Sequence, residues 1–421
     1  MPKFLIIALL TMTSVVTFAR GGDYKGNGGN VIYCPHKAAP YEVFDLFEAR
    51  VAHGFKVEFA KGTEYREILE NMFLRIARLN PSRADLYRGF TKDFAKEIRL
   101  MPNARLEVLP GDEGWAPLEE GCERKQAIVQ FKNLNMNGYR YFVDADIWNK
   151  LDEQNKAALA LHEFIYREGL SDANDFTNSL GVRYFNSVLH SDLMKNLSLA
   201  KYIETLQKVG LQAADAHGFP IQLHNGRHSA DPRMNNISFW NPNQVAFAPM
   251  PSTFVMPTTN GKKASYRCRI QPGMERDHEI SFYENGTPHY LTLQCVAPVA
   301  VSIVSPIGMG TVLVDSMELN ENGKISSILA NPRDEKIADA LTLSSESYSL
   351  LRTLSRETGP LGVHFNWEGL PDVVCMNRDT AGRQESWRLV NGNRESFASS
   401  EFNAIAIGFD GQAYPYNYSC R

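Results

Sequence analysis

The chain of 421 residues sets 44 Lys and Arg against 48 Asp and Glu, a net charge of −4, and 43% of its residues are hydrophobic. A slightly acidic chain with no block of basic residues lacks the electrostatic footprint of a dedicated nucleic-acid binder, whose affinity rests on neutralising phosphates. It also lacks the basic amphipathic helix of a protein that lies on anionic lipid. The length exceeds what one hydrophobic core usually serves, so two domains are expected, with one large irregular domain as the competing reading.

In chain order, Lys3 and the apolar run Phe4 to Leu10 lead to Thr17-Phe18-Ala19, the layout of a secretory signal peptide spanning 1–19, with cleavage expected after Ala19. The run falls short of the roughly 20 apolar residues of a membrane helix, so a soluble periplasmic or secreted product is expected. Residues 20–40 form a Gly-rich N-terminal arm. An α+β domain is expected over 41–210. Val43, Phe44, Phe47 and Val51 recur at helical spacing before Gly54, and a longer stripe runs from Tyr65 to Ile76. A third helix starts at Ser82 and points Leu86, Phe90, Phe94 and Ile98 inward. Arg105 to Leu109 and Ala127 to Leu134 read as strands, and the latter forms a hairpin with Tyr139 to Asp144 across Asn137-Gly138. The next helix starts with Asp152 as N-cap and runs to Gly169. A helical stretch follows through Val188, Leu193, Leu197 and Ile203.

Residues 211–262 read as a linker or loop-rich junction, and 263–421 as a β-rich, mainly antiparallel domain. Turns at Asn285-Gly286, Asn322-Gly323, Asn391-Gly392 and Asp410-Gly411 punctuate the latter, with short helices expected near Asp334 to Thr342 and Ser345 to Arg356. The fold class is therefore α+β. Six cysteines in an exported chain point to disulfides, and neighbour pairing (Cys34 with Cys122, Cys268 with Cys295, Cys375 with Cys420) keeps each bridge inside its own region.

One stretch carries chemistry. Leu161-His162-Glu163-Phe164-Ile165-Tyr166-Arg167-Glu168-Gly169-Leu170-Ser171-Asp172 resembles the zinc-binding helix of the metzincin-like zinc peptidases, whose pattern is HExxHxxGxxH. The resemblance covers only His162 to Asp172. It implies His162 as a zinc ligand, Glu163 as general base and Asp172 as a further ligand, with zinc as the cofactor. Tyr166 stands where the second histidine belongs, and a neutral phenol is a poor zinc ligand. The pattern therefore reads as a degenerate zincin-like domain expected to hold no cofactor, the alternative being zinc with His190 as a candidate replacement ligand. The structural reading pairs Glu163 with Arg167 on a solvent-facing side and leaves His162 as a partly buried core histidine. A looser group, Asp215, His217, His224, His228 and Asp231, reads as scattered surface residues.

The mature start Gly-Gly-Asp-Tyr-Lys-Gly-Asn-Gly-Gly-Asn-Val, Asp45-Leu46-Phe47-Glu48-Ala49 and the His-Glu helix together are similar to a group of uncharacterised exported proteins of predatory Gram-negative bacteria. That resemblance implies export and no particular activity. The expected function is an exported protein whose β-rich region binds a partner protein or cell-envelope polymer, its aromatic candidates including Trp367, Trp387, Tyr414 and Tyr416. One alternative is a divergent zinc metallopeptidase acting on extracellular protein or peptide. Another is a secreted structural or inhibitory protein.

Overall fold

The computed structural model describes residues 25–26, 29–107, 116–171, 174, 176–223 and 237–250, and beyond these the strands and turns between 253 and 416 named below. The segment expected to be a signal peptide, Asp172, both helices expected between 334 and 356, and Trp367 lie outside the described residues.

Three short strands, β1 (Lys25–Gly26), β2 (Asn30–Tyr33) and β3 (Tyr41–Val43), lead into helix α1 (Phe44–Val51). Helices α2 (Tyr65–Ala77) and α3 (Pro81–Glu97) follow. The Asn80 side chain accepts from Arg83 N and Pro81 sits in the first turn, a start that satisfies one orphan donor and removes another. The α3 face differs from expectation. Ala84, Tyr87 and Phe94 are buried and Leu86 is 40% exposed, because Arg83 turns inward to an ion pair with Glu168 and rotates the stripe.

Strand β4 (Ile98–Met101) precedes the segment expected as a strand from Arg105, which is not a strand over 105–107 and otherwise lies outside the described residues, and β5 (Glu123–Gln126), β6 (Ile128–Phe131) and β7 (Tyr141–Asp144) follow. The expected hairpin forms: β6 and β7 pair antiparallel. Asn135 Oδ1 accepts from Asn137 N and Tyr139 N, and Gly138 takes the positive φ that the turn needs. One sheet has the order β1-β6-β7-β4, with β4 parallel to β7, and a second has the order β3-β2-β5. The Cys34–Cys122 disulfide forms beside the second sheet, as expected, and the other two expected bridges lie outside the described side chains.

After the short helix α4 (Ala145–Trp148), helix α5 (Glu153–Gly169) starts at Asp152, whose Oδ1 accepts from Asn155 N at 2.7 Å. Every side chain from Ala157 to Tyr166 is buried. A helix buried on nearly all sides, its polar side chains included, belongs inside a domain rather than on its surface. Here α2, α3, α6 (Leu180–Leu189) and β3 surround it. Each fully buried Leu, Ile or Phe along it contributes about 1.5–3 kcal/mol.

The helical stretch expected through Val188 to Ile203 is broken into α6, α7 (Leu193–Asn196) and α8 (Leu199–Val209). At the first break the chain is captured by a neighbouring segment. Glu58 N donates to His190 O, Asp192 N donates to Lys56 O, and Val57 bridges Ser191. Ser198 then caps α8, which stops at Gly210 in the left-handed region.

Residues 211–262, read as a loop-rich junction, hold paired strands: β8 (Ala213–Ala216) with β9 (Phe219–Gln222), and β10 (Ser238–Asn241) with β11 (Gln244–Pro249). The hairpin of β12 (Thr253–Pro257) and β13 (Lys263–Arg267) closes this part of the chain. Then come β14 (Glu279–Phe282), β15 (Pro288–Thr292), β16 (Val299–Ser305), β17 (Gly308–Leu319) and β18 (Ile325–Ala330). An antiparallel sheet takes the order β10-β11-β14-β15-β17-β18, with β16 also on β17, and continues into strands between Gly362 and Tyr416. The molecule is thus mixed α+β, helices with small sheets first and a large antiparallel sheet later. Among the described residues no helix is long and apolar enough to cross a membrane.

Candidate functional site

Helix α5 carries two of the three residues that the zinc pattern singles out. His162 is fully buried, and its Nδ1 lies 2.8 Å from Asp45 Oδ2 on α1. The same Oδ2 accepts from Asn186 Nδ2 on α6 at 2.7 Å, while Asn186 also donates to Ala158 O at 3.0 Å. Burial alone would raise the Asp45 carboxyl. The His162 imidazole and its hydrogen bond, the Asn186 amide and the Arg183 guanidinium outweigh it and hold Asp45 below its ordinary value. Asp45 is therefore a carboxylate, an acceptor only, so Nδ1 of His162 carries the proton it donates. Arg183 in turn pairs with Glu48 at 2.8 Å, both nearly fully buried.

Glu163 is also fully buried. Its Oε1 accepts from Gly29 N at 2.5 Å. The Gln130 amide, with its nitrogen toward Glu163, donates to Oε2 at 2.7 Å and to Glu163 O at 3.0 Å, and its oxygen accepts from Arg167 N at 3.3 Å. Burial pushes the Glu163 carboxyl up to about 7, against the pull of His162 and the Gly29 amide. The expected Glu163–Arg167 pair does not form, because Glu163 faces inward. Arg167 instead reaches Asp93 at 3.0 Å and Glu97 at 3.5 Å and lies over the Phe90 ring.

Tyr166 is buried, its ring 6.3 Å from that of His162. Gly169 matters for close approach: a Cβ there would stand 2.2 Å from Cδ2 of Phe176. Glu168, beside it, anchors a second buried network. Arg83 grips both carboxylate oxygens, and Tyr87 donates to Oε2 at 2.6 Å. His190, the candidate replacement ligand, donates Nδ1 to Asn186 O at 3.1 Å, and burial lowers it to about 4, so it is neutral. Asp215 caps α3 by accepting from Ser82 N, and His217 Nε2 accepts from Val245 N at 3.2 Å. His224, His228 and Asp231 lie outside the described residues. Trp387, Tyr414 and Tyr416 lie on strands Ser386–Val390 and Ala413–Tyr416.

A zinc peptidase helix needs several donors converging on one point in an open position. Among the described residues, the only trio of His, Cys, Asp or Glu side chains whose donor atoms all lie within 4.8 Å of one another is His36, Glu119 and Cys122, at the disulfide rather than on α5. No such trio among the described residues includes His162. An open groove at the starts of α3 and α8 is lined by Arg78, Lys195, Asp215, His217 and Asn243, without His162 or Glu163.

Sequence reasoning missed Asp45, Asn186, Gly29 and Gln130, the partners that define how His162 and Glu163 are used. The one local trace is Asp45 inside Phe44-Asp45-Leu46-Phe47, a charge on a helix with buried neighbours on both sides. Comparison with family models, with curated proteins and with solved structures finds no match.

Proposed function

We propose that the chain is an exported, periplasmic or secreted binding protein, in which the zincin-like helix serves as the spine of a scaffold and the later antiparallel sheet meets a partner protein or cell-envelope polymer. The observation that carries this reading is the fate of the His-Glu pair. Both side chains are fully buried, with His162 Nδ1 held by Asp45 and both Glu163 carboxylate oxygens accepting hydrogen bonds from Gly29 and Gln130. A general base must reach the water it activates; these groups hold α5 to α1, α6, β6 and the N-terminal arm.

The binding surface is assigned to the sheet because Trp240 on β10 and Tyr290 on β15 are 53% and 43% exposed, and exposed aromatics are the residues that interfaces favour. Retention of cell-envelope material by the purified protein, lost in Trp240→Ala with Tyr290→Ala, is expected. Equal retention by that variant would move the surface elsewhere, and no retention by the native protein would remove the binding role.

A second reading, a divergent zinc metallopeptidase, draws on the Asp45–His162 hydrogen bond, since metal-ligating histidines are commonly held by a carboxylate at their other nitrogen. Elemental mass spectrometry of the signal-cleaved protein beside His162→Ala separates the two. Stoichiometric zinc lost in the variant would make the peptidase reading primary; zinc content unchanged by the variant favours the scaffold.

A further inference from the structure

The Cys34–Cys122 bridge sits between two tight turns that each carry a second donor. On one, Lys37 N donates to Cys34 O at 3.0 Å, closing Cys34-Pro35-His36-Lys37. On the other, Cys122 N donates to Glu119 O at 3.1 Å, closing Glu119-Glu120-Gly121-Cys122. The turns bring donor atoms of His36, Glu119 and Cys122 within 4.8 Å of one another, and Cys34 Sγ is bonded to Cys122 Sγ at 2.07 Å. His36 and Glu119 are exposed, Cys122 is half-buried and Cys34 is buried, so the group opens to solvent on one side and is backed by protein on the other.

We propose that this constellation is a redox-gated zinc site: a disulfide when oxidised, and a site of two cysteines, His36 and Glu119 for a zinc-class divalent ion when reduced. Two thiolates, an imidazole and a carboxylate are a donor set suited to tetrahedral zinc. The chemistry balances with a dithiol as reductant. The dithiol gives two electrons and two protons to the Sγ–Sγ bond and becomes a disulfide, leaving two protein thiols. On binding, both thiols release their protons to solvent and the ion takes both sulfurs, the imidazole nitrogen and a carboxylate oxygen. Lys37 competes for the same carboxylate, its Nζ lying 2.7 Å from Glu119 Oε1. The ion must displace it.

The test uses the full signal-cleaved chain, reduced and titrated with cobalt(II), whose thiolate charge-transfer absorption reports sulfur ligation, with zinc as competitor. One ion per chain is expected in reduced protein and none in oxidised protein. His36→Ala and Glu119→Gln, both at exposed positions, should each weaken binding by at least about tenfold. Lys37→Ala should tighten it several-fold. Because four other cysteines are present, Cys34→Ser with Cys122→Ser must abolish the charge-transfer band. His162→Ala should leave it unchanged, which separates this site from the helix α5 question. Binding that is indifferent to His36 and Glu119, a band that survives the double serine variant, or no ion in the reduced chain would each overturn the proposal.

Discussion

His162 and Asp45 are a buried pair whose worth shows only when one member is removed. His162→Ala leaves an ionised carboxylate in the core with the Asn186 amide and the Arg183 field as its remaining help. Breaking a buried pair in this way costs about 3–5 kcal/mol. Asp45→Asn removes the charge, so His162→Ala introduced on that background should cost clearly less, and a double-mutant cycle in urea measures the coupling. Additive costs would mean that the pair is not coupled. Glu163 has the opposite sign. Its folded-state value, about 7, lies above the ordinary 4.5, so the folded state keeps a proton that the unfolded chain has lost. Its contribution is fully present below pH 4.5 and declines as pH rises toward 7, by about 3 kcal/mol in total. Glu163→Gln cannot titrate. The stability difference, variant minus native, should therefore climb across pH 4.5–7 and be flat above it. Parallel curves for the two proteins would show that the Glu163 carboxyl titrates as in a peptide.

The elements themselves were largely legible, because their signals are local. The apolar spacings of α1 and α2, the Asp152 cap of α5 and the Asn-Gly turn between β6 and β7 all lie within a few residues of the structure they specify. What failed to show depends on distant residues. The α3 face turns because Arg83 meets Glu168 across 85 positions, and Asp45 finds His162 across 117. The stretch after α6 breaks because residues 56–58 capture its backbone. The N-terminal arm is the sharpest case. The stretch read as a Gly-rich arm is in place by Gly29, whose N–H donates to Glu163 and whose carbonyl accepts from Ala127 and Ile128. A Cβ at this position would stand 2.2 Å from Leu159 Cδ1 and 3.1 Å from Glu163 Oε1. Gly29→Ala should therefore cost about 1–3 kcal/mol, the usual penalty of overpacking. The cost should shrink in a Leu159→Ala background, where the obstructing atom is gone. An unchanged melting temperature for Gly29→Ala alone would show that the arm is not seated on α5.

At the scale of the molecule, the helical region and the first strands of the later sheet share one apolar core. Val245 and Ala248 of β11, Ile280 and Phe282 of β14 and Leu291 of β15 belong to the cluster that includes the α5 leucines. Polar contacts cross at the same place. Ala200 N at the start of α8 donates to Pro242 O, and Leu199 N donates to Asn243 Oδ1 at 3.2 Å. Phe282 belongs to this shared core, fully buried, with its ring 5.3 Å from His217 and 5.9 Å from Phe219. Its ring packs against the turn and second strand of the β8–β9 hairpin, so deleting it opens a cavity that the hairpin and β14 both line. Phe282→Ala should cost about 3–5 kcal/mol. Because the cavity is shared, the loss should not stay in the sheet: hydrogen exchange should quicken in α8 and the β8–β9 hairpin together with β14, with one cooperative unfolding transition for all of them. If exchange quickened in β14 and β15 while α8 kept its native protection, the two parts would unfold separately. The interface at Phe282 would then be a docking contact between independent cores, and the sheet would be free to change its angle to the scaffold when it meets a partner.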